Sequence, residues 1–186
     1  YIGAAGTSAV VTSVVDIGGG STEICIGFSA DIGMRYSFPL GAVRCSHLFD
    51  TTTARGIGEL KKYCFETFRK TKLIDEAEAV KNWVVVGGTV TSMAAVLQQL
   101  EVYDAEKVQG YVMDQSRVTD LLDRLCHMSY DEKCNLPGMR PERADIIVAG
   151  VAILDSLMDF AVSEVKVSDR DLSEGLLNAD TMMPKD

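Results

Sequence analysis

The sequence lacks the residues from which zinc sites and disulfide frameworks are built. It has only two histidines, and its five cysteines are scattered, with no pair in a Cys-x-x-Cys spacing. Zinc sites need closely spaced Cys and His ligands, and disulfide frameworks normally use an even number of cysteines. We therefore expect neither, and the scattered thiols favour a reducing, cytoplasmic location.

Long apolar runs and positive charge are also scarce. The longest apolar runs, such as residues 146–154, contain a glycine and are far shorter than the roughly 20 residues of a membrane span. With 18 Lys and Arg against 27 Asp and Glu, the net charge is −9. This charge disfavours nucleic acids and anionic membranes as partners, because both would repel the chain. The charge of a smaller polyanion must be met locally by backbone N–H groups, a metal ion, a few arginines or another part of the molecule.

The composition is otherwise that of an ordinary folded protein. Hydrophobic residues make up 47% of the chain and charged residues 24%, and a length of 186 residues is enough to bury a substantial core. No linker or internal repeat divides the sequence. We therefore predict one domain over residues 1–186.

The spacing of apolar residues predicts the order of strands and helices. Three β-rich runs come first, at residues 12–18, 22–28 and 34–40. Helical spacing follows from residue 54 to about residue 72, and a short buried strand comes after it. Later segments are a helix capped by Thr89 or Thr91, helices starting near residues 116 and 141, a strand at 164–169 and a short helix at 172–177. This order predicts an α/β fold with a mixed sheet, antiparallel among the first three strands and parallel beyond them.

The segment "DIGGGSTE", residues 16–23, is the first candidate site. It lacks the lysine of a P-loop, and a strand follows it where a dinucleotide-binding fingerprint would open a helix. Two interpretations remain: a tight turn, or a hairpin tip whose backbone N–H groups surround a phosphate. Asp16 and Glu23 favour the second, because two carboxylates beside one loop repel each other unless a cation lies between them.

The site predicted from these residues binds both phosphate and Mg²⁺. Asp16 and Glu23 are the candidate metal ligands, since Mg²⁺ combines a few carboxylates with substrate oxygens. The candidate phosphate-binding residues of the loop are Gly18, Gly19, Gly20, Ser21 and Thr22, through backbone N–H groups and two hydroxyls. Gly87 and Gly88 are a weaker candidate for the same role, at a junction where a strand meets the N-terminus of a helix.

Five stretches together resemble the exopolyphosphatase and guanosine pentaphosphate phosphohydrolase family, within the actin, sugar-kinase and Hsp70 superfamily. They are "DIGGGSTE" (16–23), "PLGAVR" (39–44), "GGTVTSMAAV" (87–96), "LPGMRPERADIIVAGVAIL" (136–154) and "VSDRDLSEGLL" (167–177). They occur in family order and span nearly the whole chain.

The resemblance implies a ribonuclease H-like lobe in which "DIGGGSTE" is the second phosphate motif. Members of the family have two lobes with the substrate between them, and the first lobe carries another phosphate motif and the glutamate that activates water. Neither is found in this sequence, so we expect the chain to correspond to the second, C-terminal lobe, with the first lobe as its partner. Arg44 in "PLGAVR" and Arg170 in "VSDRD" are the candidate cations of this lobe, and Arg44 is the one predicted to bind phosphate. The resemblance also leaves open a homodimer of the full-length protein.

The implied reaction is hydrolysis of the terminal phosphoanhydride of inorganic polyphosphate, guanosine pentaphosphate or both. Asp16 and Glu23 would act in catalysis through Mg²⁺, and the loop amides would bind the phosphate oxygens. The chain alone is expected to fold and bind phosphate weakly, with negligible turnover. Two alternatives remain open: a kinase-like member that binds ATP at Gly87 and Gly88, and a non-catalytic nucleotide or alarmone sensor.

Overall fold

A six-stranded mixed sheet forms the centre of the protein. The computed structural model describes residues 2–5, 8–29 and 31–170. The strands are β1 (Thr12–Ile17), β2 (Thr22–Phe28), β3 (Asp31–Phe38), β4 (Asn82–Val86), β5 (Val112–Asp114) and β6 (Glu164–Val167), in the spatial order β3-β2-β1-β4-β6-β5. The first three pair antiparallel, β4 pairs parallel with β1 and β6, and β5 pairs antiparallel with β6. The predicted mixed sheet is confirmed, with β5 as an additional edge strand too short to show alternation.

The helices follow the apolar spacing wherever they are long enough to show it. They are α1 (Ile2–Ala5), α2 (Ala42–Leu48), α3 (Ala54–Phe68), α4 (Leu73–Ala77), α5 (Gly88–Leu97), α6 (Ala105–Val108), α7 (Gln115–Cys126), α8 (Tyr130–Cys134) and α9 (Ile147–Ala161). Side-chain caps fix the starts of α3, α6, α7 and α8. In α3, Thr53 accepts a hydrogen bond from the N–H of Gly56, and in α7, Asp114 accepts one from the N–H of Arg117. The sequence analysis missed α1, α2, α4, α6 and α8, which have seven residues or fewer.

Three predicted boundaries differ from the structure or lie outside it. Strand β3 begins at Asp31 and ends before Pro39, which has no N–H to donate to a neighbouring strand. Pro141 starts a separate 3₁₀ turn, Pro141–Arg143, and α9 begins only at Ile147. The helix predicted at residues 172–177 lies outside the described residues.

Helix α9 is the centre of the helical layer. Every residue from Ile147 to Met158 is buried, as the nearly unbroken apolar sequence predicts. It contacts α2, α3, α5 and α7, and its side chains join one core with those of Val15 and Ile17 from the sheet. Among the described helices, none has the length and apolarity needed to cross a bilayer.

A partly buried ion cluster links α9 to α3 and α7. Lys61 Nζ lies 2.5 Å from Asp155 Oδ2 and 3.1 Å from Asp159 Oδ2, and Thr119 Oγ1 donates to Asp155 Oδ1 at 2.6 Å. Asp155 is fully buried. Burial by itself lowers the pKa of Lys61, but the hydrogen bonds and charges of Asp155 and Asp159 together raise this pKa above the usual lysine value. The cluster therefore fixes the position of α9 along its axis.

Lys61→Ala is expected to lower the free energy of unfolding by about 2–4 kcal/mol, because it leaves the Asp155 carboxylate buried without a cation. The pKa of Lys61 is higher in the folded than in the unfolded protein. The ion pair therefore contributes fully to the free energy of unfolding at any pH below the ordinary lysine pKa, and this contribution is lost only as the pH rises through the folded-state pKa. Urea unfolding at neutral pH measures the loss. Lys62→Ala, at the exposed next position, is the matched control and should change stability by less than about 0.5 kcal/mol. Equal losses in the two variants would contradict the assignment.

Candidate functional site

The glycine loop, residues Gly18 to Ser21, joins β1 to β2 and is held by the N-terminus of α2. The carbonyl of Gly18 accepts a hydrogen bond from the N–H of Ala42 at 2.9 Å, and that of Gly19 from the N–H of Arg44 at 3.0 Å. The side chain of Arg44 donates from Nε to the Gly20 carbonyl at 2.9 Å. All three glycine carbonyls therefore point toward α2.

Because these carbonyls point toward α2, three N–H groups of the loop point away from it. No cis peptide bond is found in the described ranges, and in a trans peptide the C=O and N–H point to opposite sides. The N–H groups of Gly19, Gly20 and Ser21 therefore point away from α2, and no acceptor within the described part of the chain bonds to them. Successive free amides of this kind form a concave anion-binding site. The loop is thus more than a tight turn.

Two of the predicted donors are already used inside the protein. The N–H of Gly18 donates to the Ser21 carbonyl at 2.9 Å and closes the hairpin. The hydroxyl of Thr22 is buried and donates to the Leu40 carbonyl at 2.6 Å. The prediction that these two groups donate to a phosphate is therefore wrong, because each has an internal acceptor. The half-buried hydroxyl of Ser21 bonds to no group in the described residues and remains available.

The approach of α2 to the loop depends on Gly41. A Cβ atom at this position would lie 2.4 Å from the Gly19 carbonyl oxygen and 2.4 Å from the Gly20 carbonyl carbon. Both distances are far shorter than a van der Waals contact. Only glycine therefore permits the backbones to come close enough for the hydrogen bonds that orient the loop.

Asp16 and Glu23 lie side by side on the sheet. They are direct partners in the β1–β2 pairing, so their side chains project from the same face. Ser37 Oγ donates to Glu23 Oε1 at 3.0 Å. Partial burial and the charge of Glu23 raise the pKa of Asp16. The structure therefore brings together the two carboxylates predicted to bind a metal, in the mutual repulsion that a cation would relieve.

These carboxylates could supply only part of a metal's coordination shell. Within the described ranges, no group of three His, Cys, Asp or Glu side chains is placed to hold a metal ion. Two carboxylate ligands fit Mg²⁺, which takes its other ligands from water and substrate oxygens. They do not fit a site that is completed by the protein alone.

The second glycine pair lies next to Asp16. Gly87 has a φ of +101°, and a Cβ there would lie 2.8 Å from Asp16 Oδ1. Gly87 is the N-cap of α5 and no side chain caps this helix. Thr89 and Thr91 lie inside the helix, so the prediction that one of them is the cap is wrong. The N–H groups of the first turn of α5 therefore have no side-chain cap, and the positive end of the helix dipole lies beside Asp16.

The sequence analysis missed Arg143. A Cβ on Gly88 would lie 2.5 Å from Arg143 Nη2 and 2.9 Å from Cζ, so the guanidinium lies directly on the Cα of Gly88. In the part of the chain that the structure describes, no carboxylate forms an ion pair with it. Arg143 thus supplies an unneutralised positive charge beside the glycine pair. No local pattern indicates this, because the contact joins distant parts of the chain.

Known proteins resemble this chain over most of its length. Residues 1–183 match the Ppx/GppA phosphatase family. The chain belongs to this family. Exopolyphosphatase 2 of Mycobacterium tuberculosis is 27% identical over 184 residues, which cover 94% of this chain and 57% of that protein. A bifunctional 3-dehydroquinate synthase/phosphatase of Fusobacterium nucleatum is 31% identical over 156 residues, covering 79% of this chain and 22% of that protein.

Solved structures of Ppx/GppA proteins share the fold. The crystal structure of the Aquifex aeolicus family member superposes with a TM-score of 0.83 at 28% identity, covering 94% of this chain and 57% of that one. The fold is thus the actin-like α/β fold of the Ppx/GppA family, which confirms the resemblance seen in the sequence. The chain spans little more than half the length of the Mycobacterium tuberculosis and Aquifex aeolicus proteins.

Proposed function

We propose that the polypeptide hydrolyses the terminal phosphoanhydride of inorganic polyphosphate, guanosine pentaphosphate or both. The observation that carries this proposal is the set of three N–H groups, at Gly19, Gly20 and Ser21, that point away from α2 without an internal acceptor. Membership of the Ppx/GppA family supports it, as does the similarity to a protein named an exopolyphosphatase. The site lies in the cleft between this lobe and another lobe of the same polypeptide.

The loop binds the phosphate that is cleaved. In phosphoryl transfer the protein acts mainly by positioning the phosphate and stabilising charge on its equatorial oxygens. Amides held by α2 suit this role because they need no reorientation during the reaction. The hydroxyl of Ser21 adds a fourth donor, while Arg44 holds the Gly20 carbonyl and so acts on the phosphate through the loop.

The positive charge that the substrate phosphates require comes from two sources, an arginine and a metal ion. Arg143 lies on Gly88 and binds a phosphate oxygen close to the uncapped first turn of α5. Asp16 and Glu23 hold Mg²⁺, which when bound neutralises charge on the substrate phosphates. These sources together offset the repulsion expected from the net charge of −9. We assign the base that activates water to the other lobe of the polypeptide.

The decisive experiment measures phosphate release by the full-length polypeptide from polyphosphate and from guanosine pentaphosphate, with and without Mg²⁺ and with no acceptor present. Asp16→Asn and Glu23→Gln should each lower kcat/KM by about 100-fold or more while the fold is kept. Glu66→Gln, at an exposed position on α3, is the matched control and should have no effect. Because burial and the charge of Glu23 raise the pKa of Asp16 in the metal-free protein, protons compete with Mg²⁺ for this carboxylate. The Mg²⁺ concentration that gives half-maximal activity should therefore rise as the solution is acidified.

The alternatives predict different outcomes in the same assay. Phosphate transfer that requires an acceptor would favour the kinase-like interpretation. Binding of guanosine pentaphosphate with no hydrolysis of either substrate would favour a sensor. Wild-type rates in Asp16→Asn and Glu23→Gln would remove both carboxylates from the site.

A further inference from the structure

Helices α5 and α9 cross at a contact that requires a glycine. A Cβ on Gly150, in α9, would lie 2.2 Å from Thr89 Cγ2 and 3.2 Å from Thr89 Oγ1. Thr89 is buried in the first turn of α5, between residues that are themselves packed in the core. The methyl group of Thr89 therefore lies directly on the backbone of α9, and no larger residue at position 150 fits this crossing.

A second contact of the same kind, made by Arg143, lies beside the contact between Thr89 and Gly150. Thr89 lies on Gly150, and Arg143, just before α9, lies on Gly88, the residue before Thr89. Each segment thus presents a glycine to a side chain of the other. Two adjacent contacts of this kind fix both the distance and the register between the two segments.

Arg143 is joined to α9 by a short, hydrogen-bonded connection. The Arg143 N–H donates to the Arg140 carbonyl at 2.8 Å, and the Ile146 N–H donates to the Arg143 carbonyl at 3.1 Å. Ala144 is fully buried, and the Gly150 N–H donates to the Ile146 carbonyl at 3.2 Å. A displacement of the start of α9 therefore carries the backbone of Arg143 with it.

The middle of α9 is fixed independently. Asp155, little more than one turn beyond Gly150, is held by Lys61 and Thr119. A clash at Gly150 is therefore relieved toward the N-terminal end of α9, where Arg143 lies.

We propose that Gly150 is a positioning residue for the phosphate site. Its missing side chain lets α9 pack on Thr89, and this packing holds the Arg143 guanidinium over Gly88. The inference rests on the proposed function, in which Arg143 binds substrate phosphate. It adds a residue with no contact to the substrate that determines how well the substrate binds.

Gly150→Ala in the full-length polypeptide should raise the KM for polyphosphate by about 5–10-fold with a smaller change in kcat, because it displaces a group that binds the substrate in the ground state as well as in the transition state. Thr89→Ser removes the methyl group that an added Cβ would meet, so Thr89→Ser combined with Gly150→Ala should recover the wild-type KM. Gly58→Ala is the control, at an exposed position in α3 with no atom within 4 Å of the added Cβ.

A double-mutant cycle separates positioning from a general loss of stability. In an Arg143→Ala background, Gly150→Ala should leave the KM unchanged, because the group that it displaces is already absent. If Gly150→Ala fails to fold, Thr89→Ala is the second variant. It removes side-chain atoms from the contact with Gly150 instead of adding one. Any rise in the KM for polyphosphate that it causes should likewise disappear in the Arg143→Ala background. If Gly150→Ala raises the KM equally with and without Arg143, or leaves the KM of an active enzyme unchanged, the positioning role of Gly150 is overturned while the proposed function stands. A wild-type protein that releases no phosphate overturns the proposed function and the inference with it.

Discussion

Gly41→Ala is expected to reduce phosphate release by the full-length polypeptide by about 100-fold or more, the size of effect seen when oxyanion-binding donors are lost. The added Cβ would lie 2.4 Å from the Gly19 carbonyl oxygen and from the Gly20 carbonyl carbon. Both are backbone atoms of a short loop and cannot move aside as the end of a flexible side chain can. The start of α2 must therefore separate from the loop.

Separation would undo the orientation of the amides. The Gly18 and Gly19 carbonyls would lose the N–H groups of α2, and the peptide planes could rotate. The N–H groups of Gly19, Gly20 and Ser21 would then no longer converge. The φ of Gly41 is −136° and its ψ is 151°, a conformation that any residue adopts, so the substitution tests the close contact and not backbone strain.

Calorimetric titration with pyrophosphate measures this effect on binding, and kcat/KM measures it on catalysis. The matched control is Gly33→Ala, in the exposed part of β3, where the nearest atom to the added Cβ is a carbonyl oxygen at 3.8 Å. This variant should behave like the wild-type protein. Unchanged pyrophosphate affinity in a folded Gly41→Ala variant would mean that the loop amides do not bind the phosphate.

Local sequence patterns predicted the position of the loop correctly, but not which of its groups are free. The β-rich run at residues 12–18, the alternation along β2 and the three glycines between them are enough to predict a hairpin tip with Asp16 and Glu23 beside it. The direction of each amide depends on α2, a short helix later in the chain that the sequence analysis did not identify. For the same reason, nothing near Thr22 in the sequence shows that its hydroxyl bonds to the Leu40 carbonyl.

Arg143 could not be predicted from local sequence patterns either. The net charge of −9 already required a local source of positive charge for a polyanionic ligand. Of the two arginines that the sequence offered, Arg44 uses its Nε to hold the Gly20 carbonyl. Arg143 reaches Gly88 only because α9 crosses α5 at Gly150, and a contact made by the packing of two helices leaves no periodic signal in either.

Arg143→Ala is expected to lower kcat/KM for polyphosphate by about 10–100-fold, the equivalent of roughly 1.5–3 kcal/mol for a hydrogen bond to a charged group. The fold should be unaffected, because within the described residues no ion pair depends on this side chain. Arg143→Lys should restore only part of the activity, since an ammonium supplies the charge without the planar pair of donors. The dependence of KM on salt should also weaken in Arg143→Ala, because one attraction to the polyanion is lost.

Arg124→Ala provides the matched control for Arg143→Ala. This arginine is exposed on α7, so its removal changes the net charge by the same amount without touching the glycine pair. If substrate binding depended only on net charge, both variants would lose the same affinity for polyphosphate. A loss confined to Arg143→Ala instead means that one guanidinium, held on Gly88 by the packing of α9 against α5, binds the phosphate of an otherwise repelled substrate.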